Sequence, residues 1–548
     1  MGRSPLIYDL PPQHALSARV GRWMSSCLVM TGSLCLALIL ISPICHCVAS
    51  DNPKQAQRAK RVFEKAYLGS TGYQPVLSGD SPDATRAASV NSPDAGLTLA
   101  PAAIPVGKLP TGAGRLPAPP ILKTGSTTPV EEWPMFKHDL RRSGYSPSKA
   151  PDTASVVWQT RIPEANKFWS SPCVAGGKLY IGNNNGNLYC LDALTGKRLW
   201  TFFTETYQPI FSSPAVHRNA VYFAGYEMIY AIPGDDPDHD GVMTVENCLW
   251  RFRVGKSTGG VNNVVASSPA IKDGKLFLGA VDQYFYCFDA VKGGHPLWET
   301  FTRYRGQHAF SSSPALDGGR LFAATGNQSG SGRLYCFNEA NGDILWEFDI
   351  DDITFASPVI DGNRVFISNS GDWIGGNRRY RLYCLDVNGF LDGVDDGVAD
   401  SHRGNADLVW SFDTRDYVYS SPSIHQGRLY FGCANGVLTC LDAKSGKALW
   451  VYPSATRSKY TQPRGILSSP AIADGKVFIG TIEGRLVALP ETDPNGDGVI
   501  SPDEVVWSFP IGGDGVCSPV VSNGCVYAGN HQGTIFCFGP NGPNQSPK

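Results

Sequence analysis

Eight prolines recur through the C-terminal three quarters of the chain: Pro172, Pro214, Pro269, Pro314, Pro358, Pro422, Pro470 and Pro519. The gaps between them are 42, 55, 45, 44, 64, 48 and 49 residues. A Trp leads each one: Trp158, Trp200, Trp250, Trp298, Trp346, Trp410, Trp450 and Trp507. Each unit reads as Ser-Ser-Pro or a close variant, an apolar strand, a Gly turn and a Leu-Tyr-Ile-Gly-like strand. A polar turn, a Leu-Tyr-Cys-Leu-Asp-like strand, a further turn and Leu-Trp follow. About four strand-like runs in a unit of ~45 residues is the signature of a propeller blade. The last unit, 515–539, supplies only three strands, while Val156-Val157-Trp158-Gln159 stands ahead of the first full unit. The expected fold is therefore all-β: an eight-bladed β-propeller of four-stranded blades. An N-terminal strand completes the last blade and so removes the open edges.

The 60 Gly and 40 Pro come from two unlike sources. Many punctuate the blades. Others lie in 81–130, a stretch with nine Pro and no aromatic residue, which buries too little apolar surface to offset its ordering entropy. Residues 51–130 read as a disordered linker, with a short basic helix accommodated at 53–67. Before it, residues 27–44 are apolar, follow Arg19 and Arg22, and precede Val48-Ala49-Ser50. That is the pattern of a signal peptide or membrane anchor over 1–50. A propeller at 131–540, followed by a short tail at 541–548, is then expected to be exported, periplasmic or otherwise extracytoplasmic. With 47 basic against 49 acidic residues and a net charge of -2, nothing attracts nucleic acid.

Six of the 15 Cys share one strand position: Cys190, Cys287, Cys336, Cys384, Cys440 and Cys537, with Ala231 and Ala488 in the other two units. Cys and Ala alternating at one site indicates a small buried packing residue. The pairing of Cys173, Cys248, Cys433, Cys517 and Cys525 is left open. The repeated Ser pairs fall on the innermost strands, where crowding favours small side chains. So many copies argue against a nucleophile.

The run Gly-Asn-Leu-Tyr-Cys-Leu-Asp-Ala-Leu-Thr-Gly-Lys-Arg-Leu-Trp (186–200) resembles the PQQ-type propeller repeat. Trp133-Pro134-Met135-Phe136 with Asp139 and Gly144 resembles the start of such domains. The family includes quinoprotein dehydrogenases and BamB-like scaffolds. The likeness is nearer the scaffolds, because the adjacent Cys pair usual in the dehydrogenases is missing from the propeller.

The most specific chemical motif is the twelve-residue run 493–504. Asp493, Asn495, Asp497, Val499 (through its carbonyl), Ser501 and Glu504 supply the oxygens of an EF-hand-type calcium loop, with Gly498 at its sharp turn. Asp236, Asp238 and Asp240 form a weaker copy, with Asn247 in the twelfth place and Glu246 one place early. The acidic insertion at 386–400 fits no register. All three replace one turn of the blade and project from one face. Structural Ca²⁺ is the expected cofactor, and PQQ is not expected.

The Gly-x-Ser-x-Gly at 255–259 lies between blades and lacks the strand-turn-helix setting of a nucleophile elbow. The face opposite the acidic insertions carries Arg303, Tyr304, Arg305 and His308, then Trp373, Arg378 and Arg379, then Arg457, Lys459, Tyr460 and Arg464. Aromatic and Arg side chains are favoured interface anchors. The expected function is a non-catalytic, monomeric exported scaffold for a protein or another cell-envelope partner. A PQQ-dependent dehydrogenase and a propeller binding a small ligand or glycan are the alternatives.

Overall fold

A computed structural model describes residues 131–540, apart from 205, 256–266, 303–308, 327–331, 351–353, 371–379, 389–407, 455–464 and 514. The strands form eight sheets, each built on a four-stranded antiparallel meander from an inner to an outer strand, with one further short strand added in two of them. The first sheet runs Cys173–Ala175, Lys178–Gly182, Asn187–Asp192, Arg198–Phe203. The eighth runs Val520–Ser522, Cys525–Gly529, Thr534–Phe538 and is completed by Val156–Arg161, which pairs antiparallel with Thr534–Phe538. The closure expected from the repeat is thus present. Among the described residues the helical content is a single short turn, Val245–Asn247, and no helix is long and apolar enough to cross a membrane. The apolar segment and linker over 1–130, with the tail 541–548, lie outside the described residues.

The cores sit between adjacent sheets. Cys173, Tyr180, Leu188, Cys190 and Trp200 of the first blade pack with Val221, Phe223, Tyr230 and Ile232 of the second. The Cys position is explained by its cross-strand partner. Cys190 faces Trp200, Cys287 faces Trp298, Cys336 faces Trp346, Cys384 faces Trp410, Cys440 faces Trp450 and Cys537 faces Trp158. Ala231 and Ala488 face Trp250 and Trp507 in the same register. A small side chain opposite each indole leaves room for the ring.

The outer Trp also ties blade to blade. The indole N–H of Trp158 donates to the Ala193 carbonyl of the next blade at 3.0 Å, Trp250 to Ala290 at 2.8 Å and Trp410 to Ala443 at 3.2 Å. Gly196, in that receiving turn, has φ +71, and a Cβ there would lie 2.5 Å from the Trp158 ring. Both the backbone conformation and the close approach require Gly.

Around the axis the inner strands meet through a chain of serines. Ser171 N–H donates to Ser213 Oγ, Ser213 to Ser268, Ser268 to Ser313 and Ser313 to Ser357. Ser357 continues to Ser421, Ser421 to Ser469 and Ser469 to Ser518, all at 2.8–3.0 Å. The preceding residue of each pair bonds within its own blade: Ser212 to Ala224, Ser312 to Ala324, Ser420 to Gly432 and Ser468 to Gly480. One Ser therefore holds the blade and the next links it to its neighbour.

Candidate functional site

In a meander the first-to-second and third-to-fourth strand turns share one face. The second-to-third turns and the blade-to-blade connections share the other. The two faces are built differently.

On the first, residues 131–148 form an axial plug. Trp133 exchanges backbone hydrogen bonds with Val174 of the first blade. The carbonyls of Pro134, Leu140, Arg141, Ser143 and Gly144 accept from Val216, Leu316, Ile360, Ile424 and Ile472, on the inner strands of the second, fourth, fifth, sixth and seventh blades. Glu131 and Ser148 reach Asn523 and Gly524 of the eighth. The third is reached by Arg142, whose Nη2 donates to the Pro269 carbonyl at 3.2 Å. Arg142 and Lys137 are both buried. Lys137 donates to the Pro422 carbonyl at 2.8 Å and to Ser423 Oγ. Desolvation pushes Lys137 well below its ordinary range and Arg142 down to about 10. Tyr145 stacks on His425 at 3.8 Å, and His425 Nδ1 lies 2.7 Å from Glu491 Oε1. Backbone carbonyls and the chain's own cations thus fill this end of the axis.

Two acidic loops join the same face. In the loop of the seventh blade, Asp493 accepts from the backbone N–H groups of Gly498, Gly496 and Asn495, which hold its carboxyl below the usual range. Glu504 Oε2 accepts from Ser501 N–H at 2.8 Å. Val499 pairs in parallel with Val451 of the sixth blade's outer strand, and Ile500 beside it is fully buried. The loop of the second blade follows the same plan: Val242–Met243 pairs in parallel with Thr201–Phe202 of the first, and Met243 is buried. Asp236, Asp238 and Asp240 bring carboxylate oxygens within 4.8 Å of one another. The weaker of the two motifs by sequence therefore gathers the tighter carboxylate cluster. The insertion at 386–400 replaces the equivalent turn, between Arg381–Asp386 and Leu408–Asp413; its residues from 389 on lie outside the described ones.

The residues expected to form a partner surface on the opposite face, Arg303, Tyr304, Arg305, Trp373, Arg378 and Arg379, lie outside the described residues. The described part of this face carries a ring that the sequence reading passed over. In the described blades the residue three places before the repeat Pro lies in the connection that enters the innermost strand. It is Trp169, Phe211, Phe355, Tyr419 and Leu467 in five blades. Trp169 is 38% exposed and Phe355 48%. Phe355 stacks with Tyr419 of the next blade at 5.7 Å, and Trp169 lies 4.5 Å from the His531 ring. The signal was available: a large apolar residue recurs three places before the repeat Pro in five blades, although Ser311 takes that place in the fourth.

The eleven described Cys are free thiols. Burial pushes Cys190, Cys287, Cys336, Cys384 and Cys440 upward, Cys287 to about 12. Cys525 behaves differently: a hydrogen bond from Cys537 holds it below the usual thiol range.

The chain is 21% identical over 366 residues to the outer membrane protein assembly factor BamB of Yersinia pestis, across 64% of this chain and 80% of that protein. It is 37% identical to a 1-butanol dehydrogenase (cytochrome c) of Thauera butanivorans, but over 91 residues, which span 15% of this chain and 13% of the enzyme. Among solved structures, quinohemoprotein alcohol dehydrogenase from Comamonas testosteroni matches 76% of this chain and 82% of its own, with a TM-score of 0.53 at 14% identity, a likeness of fold. The family described as outer membrane protein assembly factor BamB matches residues 149–301 and 282–542. Those two matches span the propeller from end to end, and the chain belongs to that family of PQQ-like repeat propellers.

Proposed function

We propose that this protein is an exported, non-catalytic scaffold that holds a protein partner of the cell envelope on the face ringed by Trp169, Phe355 and Tyr419. The observation that carries this reading is the extent of the match. The family covers the propeller throughout and a BamB relative is matched over 80% of its length. The architecture supports it. One end of the axis is filled by the chain's own plug, while the other presents exposed aromatic side chains of the kind that anchor interfaces. Arg303, Tyr304, Arg305, Trp373, Arg378 and Arg379, outside the described residues, are proposed from the sequence to extend that surface. On the plugged face, calcium held by Asp493, Asn495, Asp497, the Val499 carbonyl, Ser501 and Glu504 serves stability. The N-terminal apolar segment directs export and, if retained, tethers the propeller to the membrane.

The second reading, a quinoprotein dehydrogenase, is favoured by the 37% identity to the butanol dehydrogenase segment. Reconstitution with PQQ and calcium separates the two. A scaffold takes up no quinone chromophore and reduces no dye with alcohols. Stoichiometric uptake with alcohol-dependent dye reduction would replace the scaffold reading.

A further inference from the structure

The acidic loop of the second blade holds a buried acceptor with nothing to accept. Asp236 is 6% exposed. Its Oδ2 takes the Gly241 N–H at 2.7 Å, but its Oδ1 is fully buried without a donor. Asp238 and Asp240 converge on the same point. Three carboxylates at this spacing repel one another, and a buried oxygen left unpaired is costly. We infer that Asp236, Asp238 and Asp240 form a calcium-type divalent cation site whose ion ties the second blade to the first.

The remaining ligands follow from the pairing. Gly241 gives its carbonyl to Thr201 N–H at 3.0 Å, whereas Val242 turns its N–H inward to Asp240 Oδ1 at 2.7 Å. The carbonyl of a strand residue lies on the same side as its N–H, so that of Val242 faces the loop. Asn247 Oδ1 accepts from Thr244 N–H at 2.7 Å, as Glu504 does from Ser501 in the seventh blade. The twelfth place is thus filled by a neutral side chain, and the charge comes from the three Asp. Hard oxygen donors of this number suit Ca²⁺.

The ion acts on the blade interface. At Trp158, Trp250 and Trp410 the indole N–H reaches a turn carbonyl of the next blade. Trp200 Nε1, which faces the inserted loop, has no such partner. Neither does Trp450 Nε1, which faces the loop of the seventh blade. In both places the tie moves one residue along, to Thr201 and Val451, as the parallel bridge to the loop. Trp298 Nε1 also lacks a partner, although it faces an ordinary turn. Trp346, beside the 386–400 insertion, still donates to the Val387 carbonyl at 3.2 Å. The tie peculiar to these two loops is therefore the parallel bridge, and in the second blade the cation orders it.

The test uses the full chain stripped with chelator and titrated with calcium alone, beside an Asp238→Asn, Asp240→Asn double variant. Both side chains are exposed, so the fold tolerates the change, and equal melting of the two proteins in chelator checks this. Equilibrium dialysis should show one calcium equivalent fewer in the variant. Exchange of the Thr201 amide should slow about tenfold in the wild type at calcium ten times its Kd, and not in the variant. Equal stoichiometry in both proteins would overturn the site. Loss of an equivalent with no change at Thr201 would overturn the inter-blade tie.

Discussion

Arg142 donates from Nε to the Pro314 carbonyl at 2.7 Å, across 172 residues of sequence. The same guanidinium reaches Pro269 at 3.2 Å and the Phe136 carbonyl. One fully buried side chain therefore links the plug to the third and fourth blades. Arg142→Met keeps much of the volume but leaves these carbonyls without donors. It should cost about 3–5 kcal/mol, read as a fall in the denaturant midpoint. A midpoint unchanged within error would mean that the plug contributes little.

Lys137 provides a pH test of the same plug. Desolvation holds it well below its ordinary 10.5. Between its folded pKa and 10.5 the unfolded chain binds more protons than the folded one, so this group's contribution to stability rises with pH across that window. Lys137→Met lacks that rise. The melting temperature of the wild type minus that of the variant should increase as pH is raised toward 10.5. A flat or falling difference would contradict burial of the charged form.

The serine chain is tested by a single hydroxyl. Ser268 Oγ accepts from Ser213 N–H at 2.9 Å, and Ser268→Ala leaves that N–H buried and unpaired. A loss of about 1–3 kcal/mol is expected. Ser268→Thr retains the oxygen and should recover part of it. Equal melting of wild type and Ser268→Ala would remove the inter-blade role.

Thiol reactivity should single out one site among the described cysteines. Cys525 is half-buried, and the hydrogen bond from Cys537 favours its thiolate, holding it below the usual thiol range. The Trp-facing Cys190, Cys287 and Cys440 are buried and raised. Alkylation followed by peptide mapping should label Cys525 first, at a pH below that at which an ordinary thiol reacts, and the Trp-facing thiols only on unfolding. Simultaneous labelling of all of them would show a loosely packed ring.

The repeat exposed the fold readily because each blade repeats the same burial problem. A Trp needs a small residue opposite and a Gly in the turn it packs on, so Trp158, Cys537 and Gly196 mark strand register in the sequence itself. Closure by Val156–Arg161 was legible as a three-strand remainder. The plug was not: residues 131–148 occur once, have no counterpart to align, and take shape only when the inner ends of the blades are brought together around the axis. The serines were read as merely small because a hydrogen bond between blades 42 to 64 residues apart leaves no local pattern. Trp169 was passed over for Trp373 because its significance lies in its position around a ring and not in a charged neighbourhood.

The scaffold reading rests on a working face, and a photo-cross-linking residue placed at position 169 or at position 194 in the native cell envelope tests it most directly. Trp169 lies in the exposed aromatic ring, and Leu194 is 78% exposed in a turn on the plugged face. A covalent adduct with one discrete envelope protein from position 169, and none from position 194, is the predicted result. No adduct at 169, or the same adducts from both positions, would contradict it.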